Sequence, residues 1–161
     1  MKTIQELQPG DLVWVDRSAK GLPYHHCGIY EGNGTVIHFA AIEGSETNRE
    51  NAEVHRISFK KFQNDCPVKV IDIEGSLPVE ETLQRARSLI GKKGYDISTF
   101  NCDHFATWCK TGKYHSIQVD KVKTVLLESI GGSLVEFLCT IHDMAEKSKA
   151  SPFLENDSDK K

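Results

Sequence analysis

The chain has no apolar run of membrane-spanning length, no basic block and no paired cysteine spacing, and each absence removes a class of protein. The segment Met1-Lys2-Thr3-Ile4-Gln5-Glu6 lacks the apolar core of a secretory signal, so the expected location is the cytoplasm. A net charge of −3 without a Lys/Arg cluster offers nothing to a phosphate backbone, and no nucleic-acid partner is expected. The five cysteines (Cys27, Cys66, Cys102, Cys109 and Cys139) are odd in number and scattered, so they read as free thiols rather than a disulfide framework. Neither Cys-x-x-Cys nor His-x-x-x-His spacing occurs to support a zinc site from His26, His38 and Cys102, and no metal or other cofactor is expected.

With 39% hydrophobic residues in 161, the chain can bury one core and needs no second domain. The first third reads as β structure: Asp11 to Asp16 after a Pro9-Gly10 turn, Tyr24 to Tyr30, and Thr35 to Ala41 across Gly32-Asn33-Gly34, a hairpin. Glu53 to Phe59 and Pro67 to Ile73 are further strand candidates. After Gly75 the period changes to helical. Pro78 suits a first turn, Glu80 and Glu81 favour its positive end, and Val79, Leu83, Ala86 and Ile90 mark a buried face up to Gly91. A second helix is expected from about Cys102 to Gly112. A third region, over 120–146, is interrupted by Gly131-Gly132 and followed by a polar tail, 147–161, that reads as disordered.

The chemistry concentrates in Asn101-Cys102-Asp103-His104-Phe105 and two distant histidines, His26 and His38. A cysteine entering a helix, with histidines able to reach it, is the minimal kit for a thiolate nucleophile. Cys102, Phe105, Ala106 and Cys109 form one apolar stripe, so Cys102 should point inward, with Asp103, Thr107 and Lys110 facing water. Unpaired N–H groups at a helix start would favour the thiolate. His104 lies on another helix face and is a poor base for Cys102. His26 and His38 are the candidates, on a sheet face that this helix would cover. His25, His55, His115 and His142 read as solvated or locally hydrogen-bonded, and Cys109 and Cys139 as small hydrophobes.

The hairpin decides whether the two histidines can cooperate. A two-residue Asn33-Gly34 turn, pairing residue 32 with 35, would place them on opposite faces. A three-residue loop pairs 31 with 35, 28 with His38 and His26 with 40, and puts both rings on one face as diagonal neighbours about 7 Å apart. The three-residue loop is expected because only that register allows joint chemistry.

Two histidines across a hairpin, followed by Asn101-Cys102-Asp103-His104-Phe105 and Ser116-Ile117-Gln118-Val119, resemble the lecithin:retinol acyltransferase family from about Leu7 to Val119. The resemblance implies a permuted papain-like α+β fold: a four- to six-stranded antiparallel sheet carries the histidines and the cysteine begins a helix packed on it. It implies a catalytic domain over 1–119, followed by a helical extension and the tail. It also implies roles: Cys102 as nucleophile, His26 as general base and acid, His38 as the residue that orients His26, and the Tyr24 hydroxyl with the Cys102 N–H as oxyanion donors. The implied activity is acyl transfer or hydrolysis through a thioester on a lipid ester. Two alternatives stand beside it, a thiol peptidase or amidase on the same scaffold and a non-catalytic interaction module. Many members carry a membrane-spanning tail, whereas residues 122–138 here are interrupted by Lys123, Glu128 and Glu136. No transmembrane segment is expected, and any membrane contact should be peripheral.

Overall fold

Runs rich in Val, Ile, Tyr and Trp become strands because β-branched and aromatic side chains fit a pleated, half-buried surface. The computed structural model describes residues 4–19, 22–42, 51–94 and 101–115. Within them lie β1 (Leu12–Ala19), β2 (Leu22–Gly32), β3 (Thr35–Ala41), β4 (Ala52–Ser58) and β5 (Val68–Val70). These form one antiparallel sheet in the order β4-β3-β2-β1-β5, an α+β architecture with α1 (Phe59–Gln63), α2 (Val79–Ser88) and α3 (Cys102–Thr111).

Side-chain alternation divides the sheet into two faces. On one, Val13, Val15, Tyr30, Val36 and Val68 pack with Leu7 and with Phe59 and Phe62 of α1. On the other, Leu12, Cys27, Ile29, Ile37, Phe39 and Val54 are buried, α3 packs on β2 and β3, and α2 packs on α3. Complete burial of side chains this large contributes about 1.5–3 kcal/mol each, so both layers fix the strands.

The hairpin differs from expectation in an instructive way. Gly32 pairs with Thr35 around a two-residue turn with Asn33 (φ 50°) and Gly34 (φ 71°) both left-handed, the Asn-Gly signature of a type I′ turn. The expected 31–35 pair is therefore not formed. A bulge between Tyr30 and Gly32 then shifts the register, so that Tyr30 faces Val36 and Gly28 faces His38. The tight turn and the shared histidine face, which looked exclusive, coexist because one extra residue changes the parity.

Other boundaries need correction. α1 begins at Phe59, where a strand end is expected, and fills a stretch for which no element is expected; Ser58 caps it by accepting the Lys61 N–H at 3.3 Å. In α2, Val79 and Ile90 are exposed and the buried face is Thr82, Leu83 and Ala86, because Val79 stands in the first turn and the helix ends before Ile90. No helix among the described residues is long and apolar enough to cross a membrane. The helical region expected over 120–146, its charged segment 122–138 and the tail 147–161 lie outside the described residues.

Candidate active site

Asn101 sets the start of α3. Its side-chain oxygen accepts the N–H groups of Asp103 at 2.9 Å and His104 at 3.1 Å, while His104 Nδ1 accepts the Asn101 N–H at 3.4 Å. This reciprocal capping box makes Cys102 the first helical residue, and such caps are worth about 1 kcal/mol. His104 is thereby absorbed into structure, its ring stacked on Tyr114 at 4.9 Å. Asp103 and Thr107, expected to face water, are fully buried. α3 is a central helix: Arg85 of α2 lies 4.8 Å over Trp108, and the Thr107 hydroxyl reaches the carbonyls of Asp103 and His115. An amphipathic reading assumes one covered face, and here every residue of the helix except the half-buried Lys110 is covered.

The strands create the place where Cys102 sits. The β2–β3 ladder ends at Gly28 and His38, yet β2 continues along β1 to Leu22 and β3 continues along β4 to Ala41. The two central strands diverge there, and the edge of β2 so opened carries the His25 carbonyl and the Cys27 N–H. The Cys102 sulfur fills the opening, with its Sγ 3.9 Å from the His25 oxygen. The Cys27 thiol beside it, together with His26 and the Cys27 N–H, holds the Cys102 thiol well below its ordinary range despite burial. Burial and the Cys102 sulfur push the Cys27 thiol up, so of the two thiols Cys102 is the one whose surroundings favour the anion.

The histidines approach from the other side. On β2, His26 and Cys27 alternate, so His26 lies on the α1 face, with its ring 5.5 Å from Phe62, while α3 packs on the Cys27 face. The expectation that α3 covers the histidines is corrected: helix and imidazoles lie on opposite faces and meet at the opened edge. His26 Nε2 is 2.8 Å from His38 Nδ1, and the ring centroids are 5.1 Å apart. His38 is buried against Phe62, and desolvation, reinforced by His26, His55 and Arg17, holds its pKa well below the usual histidine range. It is therefore a neutral ring that can accept from His26. Gly28, directly opposite His38, permits this closeness: a Cβ there would lie 2.7 Å from the Ile37 oxygen and 3.1 Å from His38 Cβ.

One neighbour was missed. His55, read as solvated or locally bonded, pairs across β3–β4 with His38 and brings its Nε2 to 3.0 Å from His38 Nε2. Its alternation with Val54 on a β-rich run was the available signal, but the register against β3 depends on the connection between those strands. His25 behaves as expected, its Nδ1 2.6 Å from an Asp16 carboxylate oxygen and its ring 4.1 Å from Trp14. Tyr24, two residues before His26, sits on β2 opposite Arg17. Cys109 is buried, which raises its pKa and keeps it a small hydrophobe. Among the described residues, no three or more His, Cys, Asp or Glu side chains converge as metal ligands. The three imidazoles bond each other in a line instead of facing one point.

Residues 5–115, which hold every group above, match the lecithin retinol acyltransferase family. The chain is 34% identical over 133 residues to phospholipase A and acyltransferase 4 of Homo sapiens, covering 74% of this chain and 79% of that protein. Phospholipase A and acyltransferase 1 of Mus musculus is 31% identical over 150 residues, covering 81% and 84% of the two chains. Phospholipase A and acyltransferase 3 of the same organism is 30% identical over 145 residues, covering 80% and 86%. With the match running through both histidine strands and the helix that Cys102 begins, the chain belongs to the lecithin retinol acyltransferase family.

Proposed function

We propose that this protein is a thiol acyltransferase and phospholipase that carries an acyl group on Cys102, in a permuted papain-like arrangement. The observation that carries this reading is the line His26–His38, 2.8 Å between nitrogens, beside a buried cysteine at a helix start. The relatives named phospholipase A and acyltransferase supply the substrate class, a phospholipid ester. His26 takes the Cys102 proton and the thiolate attacks the ester carbonyl. The tetrahedral oxyanion is held by the Cys102 N–H and the Tyr24 hydroxyl, each donor typically worth about 3 kcal/mol. On collapse, the carbon–oxygen bond breaks, His26 gives its proton to the departing alcohol oxygen, and a thioester remains. Water or an amine then attacks that thioester, losing a proton to His26, and Cys102 is released. His38 orients His26 throughout. Residues 1–119 form the catalytic unit, working from the cytoplasm with peripheral contact at the lipid surface.

Incubation with phosphatidylcholine of one acyl-chain length, followed by intact-mass measurement, tests this. The expected result is an adduct of one acyl group, lost on treatment with hydroxylamine and missing in Cys102→Ala. Lysophospholipid release without any adduct that depends on Cys102 would overturn the thioester route, and cleavage of peptide amides in place of lipid esters would favour an amidase.

A further inference from the structure

The line of imidazoles does not stop at His38. His55 Nδ1 lies 3.0 Å from the backbone carbonyl oxygen of Glu53, and His55 Nε2 lies 3.0 Å from His38 Nε2. A carbonyl oxygen can only accept, so His55 Nδ1 carries the proton. In a neutral ring the other nitrogen is then an acceptor, and it takes the hydrogen of His38 Nε2. That leaves His38 Nδ1 bare, able to accept from His26 Nε2 at 2.8 Å. The nitrogen left bare on His26 is Nδ1. Reverse His55, with Nε2 as its donor, and every bond in the line reverses: His26 would hold a hydrogen on Nδ1 and could not receive the thiol proton.

We propose that His55 is a positioning residue, through which the Glu53 carbonyl fixes the tautomers of His38 and His26 and so selects His26 Nδ1 as the nitrogen facing Cys102. This rests on the assignment of Cys102 and His26 above and extends it by one strand. The ring of His55 also packs edge-on against His38, 4.4 Å between centroids, so its placement is set by packing as well as by the two hydrogen bonds. Partners that fix the tautomer of a metal-bound histidine typically change activity about ten- to a hundredfold when removed, and a loss of that order is expected for this line of imidazoles.

The test pairs His55→Leu, which fills the space and offers no acceptor, with His55→Gln, whose amide oxygen can accept from His38 Nε2. Expected for His55→Leu is a fall in kcat of about ten- to a hundredfold with KM little changed, and for His55→Gln a recovery of most of that loss. Two-bond proton–nitrogen spectra of the imidazoles in the wild-type protein read the tautomers without any turnover. They should show His55 protonated at Nδ1 and His38 at Nε2, and His55→Leu should turn His38 into a mixture. Wild-type spectra with His55 protonated at Nε2, or an unchanged kcat in folded His55→Leu, would overturn the proposal, and the wild-type spectra decide it even if the leucine variant fails to fold. If instead Cys102→Ala keeps its activity while the spectra are as expected, the catalytic reading fails and the tautomer assignment stands.

Discussion

Replacing Gly28 with alanine tests whether the closeness of β2 and β3 is what holds His26 against His38. The added Cβ would stand 2.7 Å from both the Ile37 carbonyl oxygen and Val36 Cγ1, short of ordinary contact at 3.4 Å by 0.7 Å. Neither neighbour can step aside alone, since one is backbone within the ladder and the other a β-branched side chain with few rotamers. The strands must therefore separate at the Gly28–His38 pair. A shift of that size takes the 2.8 Å contact between the imidazoles to about 3.5 Å, outside hydrogen-bond range. Overpacking of this kind costs about 1–3 kcal/mol, which outweighs the ~0.4–1 kcal/mol gained by restricting the unfolded chain. Misplacement of a catalytic group by about 1 Å can cost on the order of a hundredfold in rate, so a tenfold or greater fall in kcat/KM is expected. Urea melts read the first effect, and ester turnover under conditions where the variant is fully folded reads the second. A Gly28→Ala protein as stable and as active as wild type would refute the steric reasoning and the role given to the histidine contact.

Three further outcomes are expected. Brief iodoacetamide labelling near neutral pH should modify Cys102 ahead of Cys27, Cys66 and Cys109, because the surroundings lower the Cys102 thiol and raise Cys27 and Cys109; peptide mapping that finds Cys102 inert would contradict the site. His38→Ala should lower turnover by roughly 10²- to 10³-fold, less than Cys102→Ala, with His38→Gln falling less, as kcat measurements on folded variants will read. Glu31, bonded to Arg56 at 2.6 Å and to Arg87 at 2.8 Å, has its carboxyl lowered to about 2, chiefly by Arg56. A depressed folded value means that its stabilisation is present above the ordinary glutamate range and disappears as pH falls through about 2. The stability gap between wild type and Glu31→Gln in urea melts should therefore shrink on acidification, and a gap that widens would be inconsistent with that linkage.

What could be read from residues alone follows the physics of each signal. β1 to β3 were legible because β-branched runs end at Gly and Asn turns, and the limits of α3 because Asn101 can cap and Gly112, at φ 72°, can close it. The five-residue α1 is too short to establish a period, so only Ser58 and the Phe59–Phe62 spacing announced it. Burial of Asp103 and Thr107 was hidden because polarity records what a side chain can bond to, and the Thr107 hydroxyl finds its partners in backbone carbonyls. His55 was hidden for a different reason: its partnership exists only through the β3–β4 register, and nothing local to His55 specifies which residue faces it.

The bulge at Glu31 links turn chemistry to the line of imidazoles. Carried inward from the Gly32–Thr35 pair without it, the register would set His38 opposite Ile29, on the face of Cys27 and away from His26. One extra residue reverses that parity, and bulges are over-represented beside active sites because they re-aim side chains in this way. The extra residue is itself restrained, since its carboxylate is held by Arg56 of β4 and Arg87 of α2. Parity alone would not suffice, because a thiol on the α3 side of an unbroken sheet could not meet imidazoles on the α1 side. The divergence of β2 and β3 beyond Gly28 supplies the passage, and the Cys102 sulfur takes up the strand edge exposed there. Each device is useless without the other: the bulge brings His38 to His26, and the opening brings Cys102 within reach of the pair.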